Sequence, residues 1–163
     1  MKALTESDIR NSLVNAGPGE GERIPMPGLH EMVWDDREYL GWRDPGSPQR
    51  GFLVAWRDGS PVGIVLRASG MRLQAGAAIC SLCNTPQPAN QVTMFSAVRA
   101  GAAGKRGDSV GTYICADLAC SLLIRIAPPQ YEMQPSPDEV VASRAAGLAA
   151  RLEAFTERVL QTA

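Results

Sequence analysis

The sequence predicts an α+β fold built from antiparallel β-hairpins and a long C-terminal helix. Three patterns indicate it: an Asp58-Gly59 turn between two β-rich runs, two closely spaced cysteine pairs, and a helix-start signal at Ser136 followed by a periodic apolar stripe. The chain has 163 residues, 45% hydrophobic and 20% charged, which fits one domain with its own core. We expect a single domain over 1–163, divided into an N-terminal helix and loops (1–50), a hairpin and cysteine region (51–127) and a C-terminal helix (128–163).

The N-terminal third predicts one short helix followed by loops. Thr5 and Asp8 have the spacing of a capping box, so we expect a helix to begin there. Residues 15–28 are rich in glycine and proline and predict an extended loop. We expect a helical turn within Trp34–Trp42, a break at 44–48, and burial of the tryptophans in the core.

The central third predicts two strand pairs and a short helix. Asp-Gly favours a tight hairpin turn, which makes 51–68 a β-hairpin. A second pair of strands is expected at 91–99 and 110–114, joined by a loop over 100–109. A short helix from Leu118 to Ile126 should then end before Pro128-Pro129.

The C-terminal segment predicts an amphipathic helix that ends near residue 161. Ser136 and Glu139 form a capping box, with Pro137 at the first helical position. Apolar residues then recur at spacings of three and four: Val141, Ala145, Leu148, Leu152, Phe155 and Val159. We expect this stripe to pack on the domain's own sheet; the alternative is a helix that binds a partner.

Charge and motif content indicate a binding protein rather than an enzyme. Residues 51–127 hold seven basic and three acidic residues, a net charge of +4 in a chain of net charge −1. This local excess indicates a mildly cationic surface; the alternative is a chance distribution of charges. No apolar run approaches the ~18 residues of a membrane span, and the N-terminus lacks a signal-peptide pattern, so we expect a cytoplasmic protein without membrane contact. His30, the acidic pair Asp35-Asp36 and the Gly101–Lys105 segment match no catalytic or phosphate-binding motif. We therefore expect no enzyme activity.

The four cysteines have the spacing of a structural zinc site. Cys80 and Cys83 form a C-x2-C pair, and Cys115 and Cys120 form a C-x4-C pair at a predicted strand-to-helix junction. In a reducing compartment they should not form disulfides, and four thiolates leave no open position on zinc for catalysis. Ordinary buried cysteines, a redox C-x2-C pair and an iron–sulfur cluster remain as alternatives.

The run from Gly111 to Ser121, together with Cys80 and Cys83, resembles the treble-clef zinc finger of the elongation factor G-binding proteins of the fusidic-acid-resistance type. The resemblance extends from the hairpin at 51–68 through the C-terminal helix. Those proteins also have an N-terminal helical bundle, for which 163 residues leave no room, so we expect a stand-alone form of the finger domain. The resemblance supports binding to the translation machinery better than it supports drug resistance.

The resemblance implies one structural zinc ion. One ligand in the family can be histidine, but here all four are cysteines: Cys80, Cys83, Cys115 and Cys120. It also implies docking on elongation factor G, the ribosome or both, with Tyr113 on the partner-facing surface. We add Lys105 and Arg106 to that surface because they lie in the loop predicted between the two strands.

Two alternatives stay open for these residues. The alternative to a partner-binding role for Tyr113 is a strand residue packed on the zinc finger. The alternative for the cations near the cysteines in sequence is that they only offset the −2 charge of a zinc tetrathiolate: Arg99, Lys105, Arg106 and Arg125. We expect Asp117 to cap the short helix.

The alternative function is a zinc-finger protein that binds ribosomal RNA or DNA. The pI of 5.8 and the lack of a run that interleaves aromatic residues with several arginines argue against it.

Overall fold

An antiparallel sheet forms the centre of the fold in the computed structural model, which describes residues 1–70, 76–126 and 129–161. Within these residues the sheet has five strands in the order β1-β2-β3-β6-β7, and a separate two-stranded ribbon is formed by β4 and β5. The strands are β1 (Leu40–Asp44), β2 (Ser47–Arg57), β3 (Ser60–Ala68), β4 (Ala77–Ile79), β5 (Pro86–Pro88), β6 (Val92–Val98) and β7 (Ser109–Cys115). The helices are α1 (Glu6–Ser12), α2 (Glu20–Arg23), α3 (Gly101–Lys105), α4 (Cys120–Leu123) and α5 (Pro137–Leu160). The expected α+β class is confirmed.

The predicted central hairpin is formed by β2 and β3. Arg57 pairs with Ser60 across a two-residue turn, in which Asp58 and Gly59 have φ values of 48° and 80°. Those positive angles suit an Asp-Gly dipeptide and match the twist of the flanking strands. The turn chemistry of the sequence therefore sets the register of the two longest strands.

The N-terminal third differs from the sequence prediction at three places. Helix α1 begins at Glu6 with the expected capping box of Thr5 and Asp8, but the predicted loop at 15–28 contains the short helix α2. The helical turn is limited to Trp34–Asp36. The end of the segment belongs to β1, which spans Leu40–Asp44. Asp44 pairs with Ser47, so the predicted break is a hairpin turn. Pairing with the long, buried β2 stabilises a strand that is too short to predict from its own residues.

The second predicted strand pair is formed by β6 and β7. The segment between them is not simply a loop, because Gly101–Lys105 forms α3. Helix α4 is shorter than predicted and spans Cys120–Leu123. The Pro128 helix stop and the boundary expected at 127/128 lie outside the described residues.

Both faces of the central sheet are buried across β1, β2 and β3, whereas β7 alternates between buried and exposed residues. Leu53 and Ile64 face a core that includes the four cysteines and the α5 stripe. Phe52 and Val54 face the opposite way, into a second core closed by α1 and the N-terminal loops. Because successive strand residues point to opposite faces, one continuous apolar run serves both cores.

Helix α5 covers one face of the sheet as the sequence predicts. Its capping box at Ser136 and Glu139 is present. Its last three turns bury Leu148, Leu152, Phe155 and Val159, which belong to the same core as the sheet.

The tryptophans contribute to the second core. Trp42 is buried and stacks on Phe52, with ring centroids 4.9 Å apart. Trp34 and Trp56 pack against this core and stay partly exposed. No helix among the described residues is long and apolar enough to cross a membrane.

Candidate metal centre

The first cysteine pair lies in a tight turn between β4 and β5. The backbone N–H groups of Leu82 and Cys83 both donate to the Cys80 sulfur, with N···S distances of 3.4 Å. Asn84 follows in the left-handed region, with φ 54°, and its N–H donates to the Cys80 carbonyl oxygen at 2.9 Å. The turn thus holds two sulfurs close together and directs N–H dipoles at one of them, which favours its thiolate form.

The second pair spans the junction of β7 and α4, as the sequence predicts. Cys115 is the last residue of β7 and Cys120 is the first residue of α4. Between them Leu118 has a φ of 60°, which reverses the chain. The Asp117 side chain accepts a hydrogen bond from the Ala119 N–H at 3.0 Å, so it stabilises the turn before the helix rather than capping the first helical residues.

All four sulfurs meet in one buried cluster. The Sγ atoms lie within 4.8 Å of one another, with Cys80 3.6 Å from Cys120 and Cys83 3.7 Å from Cys115. A tetrahedral zinc with Zn–S bonds of about 2.3 Å separates its sulfurs by about 3.8 Å. The cysteines are reduced and at most 3% exposed. The arrangement therefore fits one structural zinc ion bound by four thiolates.

Protons are unequally shared within the cluster. Hydrogen bonds with Cys115 and Cys120 lower the pKa of the Cys80 thiol to about 7. Hydrogen bonding with Cys115 raises the pKa of Cys120. The Gln87 side-chain amide donates to the Cys115 sulfur at 3.1 Å, which stabilises negative charge there. The hydrogen bonds to the Cys80 and Cys115 sulfurs favour their thiolate forms, which zinc binding requires.

Tyr39 connects the cluster to the N-terminal part of the chain. Its hydroxyl oxygen accepts a hydrogen bond from the Cys120 N–H at 3.3 Å. Burial raises the pKa of Tyr39 well above its ordinary value, and the neighbouring Cys120 sulfur adds to the shift, so the phenol stays neutral. No spacing rule relates positions 39 and 120, so sequence reasoning had no signal for this contact.

Three of the cations closest to the cysteines in sequence form side-chain contacts: Arg99, Arg106 and Arg125. Arg125 forms a bidentate ion pair with Glu38, and Arg106 lies 3.5 Å from Asp108. Arg99 contacts the Gln161 side chain. Arg125 also donates to the Ser121 carbonyl oxygen at 2.7 Å, so it contacts the segment that holds Cys120. Arg99 and Arg106 make their side-chain contacts with residues away from the cysteines.

Three further guanidinium groups reach the cysteine-bearing segments from distant parts of the chain. Arg43 donates to the Ala116 carbonyl oxygen at 2.7 Å, Arg144 to the Ile124 and Ile126 oxygens at 3.3 and 2.8 Å, and Arg151 to the Leu82 oxygen. Chain folding brings them there, and their sequence positions do not reveal it.

The three residues predicted to bind a partner do not form one cluster. Tyr113 is 39% exposed and lies opposite Met94 on the sheet. Lys105 and Arg106 lie beyond the other end of β7. Since a strand rises about 3.3 Å per residue, Tyr113 is about 13 Å from the β7 end at which they lie.

The residues set aside as catalytic candidates are also located. His30 and Glu31 are exposed neighbours, with side-chain exposures of 83% and 79%. The glycine-rich segment at 101–105 is itself the short helix α3 rather than a loop before a helix.

Comparison with known proteins agrees with this geometry. The model of the FBP C-terminal treble-clef zinc-finger family matches residues 8–159. No curated protein matches the chain. A solved structure described as that of the fusidic acid resistance protein FusC is 22% identical with a TM-score of 0.48, and the match covers 61% of this chain and 45% of that one.

Proposed function

The chain belongs to the FBP C-terminal treble-clef zinc-finger family, and from that premise we propose that it is a cytoplasmic, zinc-stabilised module that binds translation elongation factor G. It acts by binding rather than by catalysis. The family match covers nearly the whole chain, and the run from Tyr113 to Ser121 carries the resemblance to the elongation factor G-binding proteins. A closed site of four buried thiolates suits this role, because it contributes rigidity and offers no open metal position.

The observation that carries the proposal is the exposed aromatic ring of Tyr113 beside the metal centre. Tyr113 lies two residues before Cys115, and its carbonyl oxygen accepts a hydrogen bond from the Ser81 N–H at 2.7 Å. Both cysteine pairs thus hold this residue in place. A rigid, partly exposed tyrosine is the type of residue that dominates protein interfaces, because it buries a large area at a small entropic cost.

The sheet around Tyr113 supports a docking surface. Met94 pairs with Tyr113 across the strands. A Cβ atom at Gly111 would lie 2.5 Å from the Met94 Cε, so the glycine leaves space for the methionine to lie along the sheet. Methionine adapts to irregular partner surfaces. Together, Tyr113, Met94 and Gly111 form a largely apolar patch on neighbouring strands.

Purified components test this function. We expect the zinc-loaded protein to bind nuclease-treated elongation factor G, with an affinity that falls little between low and physiological salt. Binding that needs RNA or DNA, or that falls steeply with salt because counterions are released, would favour the nucleic-acid function instead. Sedimentation with ribosomes, with and without the factor, determines whether the ribosome is a second partner.

A further inference from the structure

A polar groove of about 330 Å³ lies between α5 and the first cysteine turn. The polar side chains that line it are Asn84, Thr85, Ser143, Arg144 and Arg151. Asn84 and Ser143 are exposed, so the groove opens to solvent. It lies outside the surface around Tyr113.

The two arginines of the groove are positioned without a counter-charge. Arg144 Nη1 donates to the Ile124 and Ile126 oxygens, and Arg151 Nε donates to the Leu82 oxygen. Among the described residues, neither guanidinium has a carboxylate oxygen within 4.0 Å, whereas Arg57 and Arg125 each pair with two acidic residues. Carbonyl contacts orient the guanidinium groups, but they leave the positive charges and the remaining N–H donors available.

Gly147 forms the floor of the groove between the two arginines. Ser143, Gly147 and Arg151 follow one another at four-residue steps, so they lie in one row along the helix. A Cβ atom at Gly147 would lie 3.0 Å from Arg151 Nη1 and 3.1 Å from Nη2. The Arg151 guanidinium therefore lies over Gly147, and a side chain at position 143 is one helical turn away from it.

The local charge favours an anionic ligand. The formal −2 charge of a zinc ion with four thiolates lies on sulfurs that are at most 3% exposed. The two guanidinium groups that line the groove have no carboxylate partner among the described residues: Arg144 and Arg151. Planar guanidinium groups match carboxylate oxygens with two parallel hydrogen bonds, and the neighbouring Asn84 and Ser143 add donors.

We propose that this groove binds an acidic segment of a protein partner, with Arg144 and Arg151 holding its carboxylate groups over Gly147. The inference rests on the proposed role as a protein-binding module and adds the chemistry of a second contact. The groove holds only two cations, whereas a polynucleotide is held by a row of them along its backbone. Its size and charge therefore favour a short acidic peptide.

A pair of substitutions at Ser143 tests the groove without removing either arginine. The probes are a labelled peptide of alternating glycine and glutamate, and the matched peptide of glycine and glutamine. Ser143→Glu adds a carboxylate to the wall of the groove, one helical turn from the Arg151 guanidinium over Gly147, so it should compete with the peptide. Ser143→Gln has the same length without the charge. Position 143 is exposed, and both replacements favour a helix more than serine does.

We expect the zinc-loaded protein to bind the acidic peptide, by fluorescence anisotropy, at least about tenfold more tightly than the neutral one. Ser143→Glu should weaken acidic-peptide binding by about tenfold or more, while Ser143→Gln should stay within about twofold. Equal binding of both peptides, or unchanged binding by Ser143→Glu, would overturn the proposal. Binding of inorganic phosphate alone would identify a phosphate site and overturn it as well.

These outcomes separate the groove from the proposed function. Elongation factor G is absent from the peptide experiment, so failure there leaves the Tyr113 surface and factor binding intact. If purified factor does not bind but the acidic peptide does, the groove stands and the proposed partner is wrong.

Discussion

The side-chain amide of Asn15 forms hydrogen bonds with both the backbone N–H and the carbonyl oxygen of Val65, which lies 50 residues later in the chain. Asn15 Oδ1 accepts from the Val65 N–H at 2.8 Å, and Nδ2 donates to the Val65 carbonyl oxygen at 3.0 Å. Nδ2 also donates to the Val98 oxygen at 2.9 Å. Strands β3 and β6 pair only at Arg67–Ser96 and Ala68–Phe95, so Asn15 connects them where their ladder has ended.

Asn15→Asp should destabilise the fold by about 1–3 kcal/mol, because a carboxylate cannot donate and leaves two carbonyl oxygens without their partner. The measurement is the free energy of unfolding from urea denaturation at neutral pH. Asn11→Asp is the matched control, since the Asn11 side chain is exposed and donates a hydrogen bond to the Ser7 hydroxyl in its own helix. Equal stability of the two variants would show that the connection is dispensable.

Cys80→Ser and Cys120→Ser should each abolish stoichiometric zinc binding and most of the folding stability, because metal-binding free energy is folding free energy at such sites. The wild-type protein should contain one zinc per chain by metal analysis. A chelator should unfold it, as followed by circular dichroism. Ser81→Ala, in the same turn but exposed, should leave zinc content unchanged. A folded wild-type protein with much less than one zinc per chain would contradict this assignment.

Tyr39→Phe removes the hydroxyl that accepts the buried Cys120 N–H while it keeps the packing of the ring. We expect the variant to bind zinc but to lose about 1–3 kcal/mol of stability, because that N–H is left unsatisfied. The midpoint of denaturation and the zinc affinity are measured together. Tyr131→Phe, at an exposed tyrosine, should change neither. If Tyr39→Phe also changes neither, the contact contributes no net stability.

Gly41→Ala should disturb the contact between β1 and the second cysteine loop. A Cβ atom there would lie 2.4 Å from the Leu118 carbonyl oxygen, which is backbone and cannot move aside readily. We expect a loss of about 1–3 kcal/mol, as for overpacked sites. Gly46→Ala, in the turn of the same hairpin, meets only Asp44 Oδ1 at 3.5 Å and should be tolerated. Thermal denaturation of the two zinc-loaded variants compares them directly.

Tyr113→Ala combined with Lys105→Glu and Arg106→Glu should weaken binding to elongation factor G by at least about tenfold, since loss of one anchor residue costs more than ~1 kcal/mol. Zinc content and melting temperature should stay nearly unchanged. Because these residues lie toward opposite ends of β7, the tyrosine variant and the double charge variant should also be titrated separately. Unchanged affinity in all three would place the factor-binding surface elsewhere on the protein.

Local patterns in the sequence predicted several elements correctly. The Asp58-Gly59 turn defined the central hairpin, the capping boxes at Thr5 and Ser136 defined two helix starts, and the apolar spacing of α5 identified its buried face. Each of these signals depends on residues a few positions apart, so it can be recognised in the sequence before the fold is known. Strand β1 and helices α2 and α3 lacked such signals and were missed.

The metal centre shows the same difference between what local sequence patterns predict and what they miss. Residue type and spacing determined that four cysteines form one zinc-type cluster, because a thiolate pair within a tight turn and a second pair at a strand-to-helix junction suit a tetrahedral ion. Only the tertiary structure decided which residues surround that cluster. Tyr39, Arg43, Arg144 and Arg151 reach it from up to about 80 residues away. Such contacts depend on how strands pair and helices pack, and short-range sequence patterns do not encode that information.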